Sequence, residues 1–165
     1  MRPKIQGISV AFLFLVAGSA CSSNSPSTGG GGGTSALTVT SATPSSGNGV
    51  LAGITVVESS LSSTEIEVII KGTVGAEFHS FDVIIVTATG APEQIEHKWG
   101  TSDPINDPAP DGWAGCVDPT CPSNFAVDAV AQTVTFTNLN LTGAGLGLSA
   151  PHDADLSTVA GTVYW

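Results

Sequence analysis

The sequence predicts an all-β domain, an antiparallel β-sandwich of immunoglobulin-like or jelly-roll type with about eight strands. From residue 37 onward β-branched residues are dense, while Asp, Glu, Lys and Arg make up only 11% of the whole chain. Apolar and polar residues alternate in short segments, which is typical of strands with one buried face. Clusters of Gly, Pro, Asn and Ser separate these segments, and no long segment has the period of a helix.

The clearest predicted strand is 64–74, in which Ile66, Val68 and Ile70 alternate with polar neighbours. Residues 83–86 are all apolar, which predicts a central strand that is buried on both faces. These local patterns do not distinguish the immunoglobulin-like topology from the jelly roll. In chain order, the predicted strands are 37–42, 50–58, 64–74, 78–88, 94–101, 125–130, 133–141 and 156–165.

Residues 1–20 have the three parts of an export signal peptide. Arg2 and Lys4 give a positive start, residues 10–17 are an unbroken apolar run, and small residues fill positions 18–20. The apolar run is too short for a transmembrane helix, which needs about 20 apolar residues. We therefore predict that residues 1–20 are removed on export.

The predicted cut lies before Cys21, and residues 18–21, Gly-Ser-Ala-Cys, resemble the lipobox of bacterial lipoproteins. The resemblance covers only the leader and Cys21. It implies that Cys21 is lipidated and becomes the first residue of a membrane-held protein. Because Ser22 rather than Asp follows the cysteine, it also implies outer-membrane sorting, with a periplasmic or surface-facing domain. The alternative is an ordinary signal-peptidase cut, which would leave a soluble protein with a free Cys21 thiol.

Residues 21–36 predict a flexible linker that carries the lipid anchor. The segment is rich in Ser and contains a run of glycines over 29–33. It offers no large apolar side chain to bury, so ordering it would cost backbone entropy without a compensating gain. A single β domain is then predicted over residues 37–165.

The chain carries 14 acidic residues against four basic ones, a formal net charge of −10. Arg2 and Lys4 lie in the leader, so the mature chain keeps only Lys71 and Lys98. Such a surface repels phosphate backbones and anionic headgroups, which excludes nucleic acid as a partner. The expected contacts are the membrane, through the lipid anchor, and a protein or glycan partner.

Residues 99–124 form a long predicted loop that contains the two late cysteines, Cys116 and Cys121. Loops of this length in compact domains are usually functional or disordered, and here the prolines favour order. In an exported protein the two cysteines predict a local disulfide, because a zinc site would need two more ligands. Closing so small a ring contributes about 2 kcal/mol, so the bond would mainly fix the shape of the loop.

The same loop holds the candidate ligand-binding residues Trp113, Asp103, Asp107 and Asp111. Trp113 is predicted to be exposed, and an exposed tryptophan in a rigid loop suits a binding hot spot. The aspartates could ligate calcium, but their spacing fits no EF-hand, and Asp-Pro pairs commonly begin turns. We predict no metal site and no cofactor.

The sequence shows no catalytic signature of the Gly-x-Ser-x-Gly, His-Glu-x-x-His or phosphate-loop type. The three histidines, His79, His97 and His152, are scattered and are predicted to be surface or edge residues. Trp99 is predicted to belong to the core, because it shares a strand face with Ile95. We therefore predict that the protein is not an enzyme.

The leading functional hypothesis is a tethered lipoprotein whose β domain has a binding or structural role, with loop 99–124 as the contact surface. The alternative is a carbohydrate-binding module, which calcium could assist. A hydrolase that uses paired carboxylates is the third hypothesis. These hypotheses differ in one geometric respect, since a sugar or calcium site requires Trp113 and the aspartates to converge on one concave surface.

Overall fold

The all-β prediction is confirmed by the computed structural model, which describes residues 33–44, 48–60, 62–104, 109–128 and 130–165. The predicted leader, Cys21 and most of the predicted linker lie outside these ranges. No helix among the described residues is long and apolar enough to cross a membrane. The described strands are β1 Ala36–Thr43, β2 Gly49–Val50, β3 Ala52–Ser60, β4 Glu65–Val74, β5 Glu77–Val86, β6 Ala91–Gly100, β7 Gly112–Val117, β8 Phe125–Asp128, β9 Thr133–Thr142 and β10 Leu156–Tyr164.

Each predicted strand corresponds to an observed one, but the strand count is higher than the predicted eight. The short β2 pairs with β1 through Thr38 and Val39. β7 lies inside the segment 99–124, so the prediction of one continuous loop there was wrong. Its sequence, Gly-Trp-Ala-Gly-Cys-Val, is short, carries two glycines and lacks a clear alternation, which explains why the pattern did not predict a strand.

The described strands form one antiparallel sheet in the order β2-β1-β10-β9-β7-β6-β5-β4-β3, with β8 also paired to β9. β2 and β3 stand at opposite ends of this order, yet only Leu51 separates them along the chain. The backbone N–H of Leu51 donates to the carbonyl of Leu37 at 2.8 Å. The sheet therefore curls until it nearly closes, and a sandwich of two separate sheets is not confirmed.

The core fills the inside of the curled sheet with every second residue of the central strands. In β5 the inward positions include Phe81, Val83 and Ile85, and all three are buried. In β6 the same alternation buries Ile95 and Trp99, as predicted for Trp99. The outward neighbours of these residues are partly exposed, so one face of each strand meets solvent.

A β-bulge moves the inward face of β9 by one position. Leu139 pairs with Val159, but the next pair joins Phe136 to Gly161, so two residues of β9 oppose one of β10. Asn138 occupies the bulge with a φ of 49°. The side-chain amide of Asn124 donates to the carbonyls of Thr137 and Asn138, each at 2.8 Å, and holds the bulge in place.

Trp165 connects the end of β10 to β3, which is not a neighbour of β10 in the sheet. Its side chain belongs to the core and is 2% exposed. Its indole N–H donates to the carboxylate of Glu58 in β3, and its backbone N–H donates to the carbonyl of Gln132 at 3.0 Å. Trp165 therefore closes the core between these two parts of the sheet.

We predict that Trp165→Ala lowers the free energy of unfolding by about 3–5 kcal/mol, because it leaves a large cavity. Trp165→Phe keeps much of the apolar contact and loses the hydrogen bond to Glu58, so its expected cost is smaller, about 1 kcal/mol. Urea unfolding of the full chain measures both. Val130→Ala, at a side chain that is 97% exposed, is the control and should have almost no effect. Equal costs for Trp165→Ala and Val130→Ala would contradict the role of Trp165.

Candidate functional site

A cavity of about 200 Å³ lies where β4 and β5 meet the segment that follows β6. Lys71 and Phe78 face outward there, because their neighbours Ile70 and His79 occupy buried inward positions. The loop predicted as the contact surface contributes one wall, through Asp103. The complete lining is Gly53, Lys71, Gly72, Thr73, Phe78, His79, Asp103 and Pro104.

An ion pair crosses the wall of this cavity. The ammonium of Lys71 lies 3.0 Å from the Oδ2 atom of Asp103, and the two side chains are 35% and 46% exposed. A pair this exposed contributes at most about 1 kcal/mol to stability. Phe78, also on the wall, is 41% exposed. The cavity therefore presents a hydrogen-bond donor, an acceptor and an aromatic surface that a ligand could reach.

The floor of the cavity includes the paired backbones of Gly72 and His79. On the inner side of the sheet the His79 imidazole begins a chain of buried polar groups. Its Nδ1 atom lies 3.0 Å from Nε2 of His97, and Nδ1 of His97 lies 2.6 Å from the hydroxyl of Ser157 in β10. His79 and Ser157 are each 1% exposed, and His97 is fully buried.

Glu77 determines the direction of the hydrogen bonds in this buried chain. Its Oε2 atom lies 3.5 Å from Nε2 of His79, a long contact that leaves Nε2 without a hydrogen-bond partner among the described residues. A carboxylate accepts but does not donate, so the proton of a neutral His79 belongs on Nε2. It follows that His97 donates from Nε2 to His79, and that the Ser157 hydroxyl donates to Nδ1 of His97.

Burial keeps the imidazoles of His79 and His97 neutral. It lowers the pKa of His79, and the Glu77 carboxylate opposes part of that effect. For His97, complete burial and then the proximity of His79 hold the pKa well below its ordinary value. Phe81 stacks on the His97 ring with centroids 4.0 Å apart, which adds an apolar surface to the same site. A charged His97 would have no carboxylate in contact with it among the described residues.

The hydroxyl–imidazole contact between Ser157 and His97 has the composition of a nucleophile and its base. Its location does not suit catalysis, because no substrate can meet a hydroxyl that is 1% exposed inside the core. The contact instead satisfies polar atoms that burial would otherwise leave unpaired. It also ties β6 to β10 across the interior.

The prediction that the histidines are surface or edge residues was wrong for His79 and His97. Both occupy inward positions in strands whose other inward residues are Phe81, Ile95 and Trp99. That alternation is visible in the sequence, so the strand pattern alone could have predicted that both histidines are buried. His152 is half-buried, and its Nδ1 atom lies 2.7 Å from the carboxylate of Asp155.

Trp113 lies in β7 rather than in a loop, and its side chain is half-buried instead of fully exposed. The ammonium of Lys98 sits 4.4 Å from the centre of its ring, and His152 contacts it edge-on. Its backbone N–H donates to the buried carboxylate of Asp155 at 2.9 Å. Trp113 therefore helps to hold the segment before β10 against the sheet.

Asp103 and Asp111, two of the candidate ligand-binding aspartates, have partners other than Trp113. Asp103 pairs with Lys71 at the cavity, while Asp111 accepts a hydrogen bond from the backbone of Thr101 at 3.0 Å, as a turn residue does. Asp107 lies outside the described residues. Within the described ranges, no group of three His, Cys, Asp or Glu side chains could hold a metal ion. The geometric condition for a sugar or calcium site at Trp113 is therefore not met by Asp103 or Asp111.

The predicted disulfide between Cys116 and Cys121 agrees with the structure, in which their Cα atoms are 4.9 Å apart. Cys116 belongs to β7 and is 3% exposed, so it is part of the core. Between the two cysteines, the backbone N–H of Thr120 donates to the carbonyl of Val117 at 2.7 Å. The bond therefore fixes the turn after β7 to the core.

A carboxyl cluster lies on the outer face of β4, β5 and β6. Burial, the charges of Glu67 and Glu96, and a hydrogen bond to Glu67 raise the pKa of Asp82 to about 6, although Lys98 opposes this shift. Lys98 itself contacts Glu96 at 2.8 Å. The single ammonium is shared by several carboxylates, so Asp82 holds its proton to an unusually high pH.

Comparisons with protein-family models, with curated proteins and with solved structures found no match to this chain. The geometry of the described residues is therefore the basis for a function of this chain.

We predict that Asp82→Asn raises the free energy of unfolding near pH 7.5 by about 1 kcal/mol, after allowance for partial solvent screening. The folded-state pKa of Asp82 is above its ordinary value of 3.8, so the charged carboxylate destabilises the fold above about pH 6. As the pH falls from about 6 to 4, Asp82 takes up its proton and the parent protein regains the lost free energy of unfolding. At about pH 4 the variant and the parent should therefore be equally stable. Urea unfolding at the two pH values measures the difference. Asp153→Asn, at an exposed aspartate, is the control, and an equal gain there would contradict the prediction.

Proposed function

We propose that this chain is an exported lipoprotein, anchored through Cys21, whose β domain binds a small ligand in the cavity between Lys71, Phe78 and Asp103. The observation that carries the proposal is the combination of an exposed ion pair and an exposed aromatic ring on the walls of one cavity. Binding sites typically combine an apolar surface with a few convergent polar groups in this way. The cavity also uses Asp103 from the segment expected to form the contact surface.

Binding rather than catalysis is proposed because the chemically suggestive groups are either buried in the core or lie outside the cavity. Ser157 and His97 are enclosed by the core, so a substrate could not reach this hydroxyl–imidazole pair. The paired carboxylates around Asp82 lie on an outer strand face that is not part of the cavity lining. The groups that a ligand can reach, Lys71 and Asp103, are engaged with each other and suit hydrogen bonding.

For the fold we propose a flattened sandwich with halves β2-β1-β10-β9-β8 and β3-β4-β5-β6-β7. Among the described residues, β7 and β9 share one pair, Gly115 with Thr142, so the halves are weakly joined on that side. Contacts that cross the interior support two facing layers. These include the hydrogen bond from Ser157 to His97 and the approach of the Phe81 and Phe136 rings, with centroids 6.1 Å apart.

The proposed location is the cell envelope, with lipid at Cys21 holding the domain to the outer membrane. The leader pattern and the glycine- and serine-rich segment support this proposal. A flexible linker of about 15 residues has a root-mean-square span on the order of 20 Å, which would keep the cavity clear of the membrane surface. The strongly acidic surface fits a protein or glycan partner and excludes nucleic acid.

We predict that the chain expressed with its own leader in a bacterial host fractionates with the outer membrane, and that its N-terminus carries a diacylglyceryl-modified Cys21. Cys21→Ala removes the acceptor thiol, so this variant should appear in the soluble envelope fraction. Mass spectrometry of the mature N-terminus and membrane fractionation measure the two effects. Cys121→Ala is a matched control that keeps Cys21, and it should stay in the membrane. An unmodified Cys21 at the mature N-terminus would refute the anchor.

We also predict that ligands found by thermal-shift screening of the Cys21→Ala chain against a library of small polar compounds act at the cavity. Their stabilising effect should be lost in Phe78→Ala and in Lys71→Met, because both side chains line the cavity. It should persist in Lys98→Met, which changes the other lysine of the domain and disturbs the contact with Trp113. Compounds whose stabilising effect depends on Lys98 but not on Lys71 would indicate that the binding site lies at Trp113, and would overturn this assignment.

A further inference from the structure

The charges around the cavity limit the kind of ligand that it can hold. The ammonium of Lys71 and the carboxylate of Asp103 are in contact, so the walls carry paired and opposite charges. An anionic ligand would gain Lys71 but would meet Asp103 and a chain with a formal net charge of −10. A cationic ligand would gain Asp103 and the negative charge of the chain, but it would meet the ammonium of Lys71 on the same wall. The cavity therefore favours an uncharged ligand that both donates and accepts hydrogen bonds.

The geometry of the ion pair adds a requirement on the spacing of the polar groups of the ligand. Lys71 Nζ and Asp103 Oδ2 are 3.0 Å apart, and neither side chain is enclosed. Two adjacent hydroxyl groups can bridge such a pair, since one accepts from the ammonium while the other donates to the carboxylate. Hydrogen bonds to charged groups are stronger than those between neutral groups, so this arrangement suits a vicinal diol.

The rest of the cavity provides an apolar surface of limited size. Phe78 presents a partly exposed ring, and Gly53 lines the same cavity without a side chain, with open space where its Cβ atom would be. Exposed aromatic rings combined with a polar edge are suited to ligands that have one apolar face and one polar rim. A volume of about 200 Å³ is below that of the usual drug-sized site, so it fits one ring rather than an extended chain.

We propose that this cavity binds a single neutral sugar residue, with one face of the pyranose ring on Phe78 and a vicinal diol on Lys71 and Asp103. The inference rests on the proposed binding function and names its ligand class. It places the glycan contact at the junction of β4, β5 and the segment after β6, away from Trp113. It requires no calcium, because the ion pair supplies both the donor and the acceptor.

The test is a titration of the isotope-labelled Cys21→Ala chain with the methyl glycosides of glucose, galactose, mannose and N-acetylglucosamine, followed by amide resonances. At least one glycoside should give saturable shifts at Gly72, Thr73 and Phe78. Phe78→Ala should weaken binding about tenfold by removing the ring contact. Asp103→Asn, which keeps an acceptor but loses the charge, should weaken it several-fold. Val130→Ala and Lys98→Met, both outside the cavity, should leave it unchanged.

Glycine and sodium acetate serve as zwitterionic and anionic probes in the same experiment. The sugar assignment would be overturned if glycine or acetate bound more tightly than every glycoside. It would also be overturned if none of the four glycosides gave saturable shifts. The thermal-shift screen of small polar compounds distinguishes a wrong ligand class from a wrong binding function. If the glycosides fail while another compound depends on Phe78, the binding function stands and only the ligand class is wrong. If no compound depends on the cavity, both proposals fail.

Discussion

The hydrogen bond from Ser157 to His97 is the interaction on which much of this structure depends. It crosses the interior and joins β10 to β6, two strands that are not neighbours in the sheet. A buried hydroxyl or imidazole without a partner costs about 1–3 kcal/mol, so the fold is penalised unless these two groups meet. Apolar packing alone tolerates small shifts between facing strands, whereas this polar contact favours one arrangement. His97 therefore contributes to specifying the fold as well as to stabilising it.

The cavity lies against the same buried polar groups, because His79 is one of its lining residues. His97 holds the imidazole of His79, and the backbone of His79 forms part of the cavity floor opposite Gly72. Because the floor belongs to two fully paired strands, it changes little when a ligand enters. The walls are different in kind, since Lys71 and Phe78 are exposed side chains and Asp103 comes from a loop. A rigid floor with adjustable walls suits the recognition of a small ligand.

The strand pattern was strong enough to predict most of the fold, and the reasons are local. Ile66, Val68 and Ile70 alternate with polar residues, so the sequence itself identifies the buried face of β4. β7 was missed because its inward residues, Ala114 and Cys116, are small and its outward position 115 is a glycine. That glycine is required by tertiary contacts, since a Cβ atom there would lie 2.2 Å from the carbonyl oxygen of Ile95. Such a constraint leaves no periodic pattern in the sequence.

The candidate site was only partly accessible to sequence reasoning. Asp103 was selected because it lies in a long proline-rich segment, and it does line the cavity, but its partner Lys71 is far away in sequence. Their contact depends on how the segment after β6 folds back over β4, which no local pattern specifies. The single curled sheet was also hidden, because it depends on Leu51, where the chain passes from β2, which pairs with β1, to β3, which pairs with β4. Short-range patterns determine strands, while pairing between distant strands depends on the whole domain.

The pairing of β1 with β10 has a consequence for the order in which the chain can fold. Ala36 pairs with Thr162, so the first strand finds its principal partner only when nearly all of the domain is present. Contacts between such distant residues form slowly, since closing the long intervening loop costs entropy before the contacts contribute any stabilising free energy. An incomplete chain therefore lacks the principal partner of β1. For a chain exported as we propose, this delay would help translocation, because the fold completes only after the last strand has arrived.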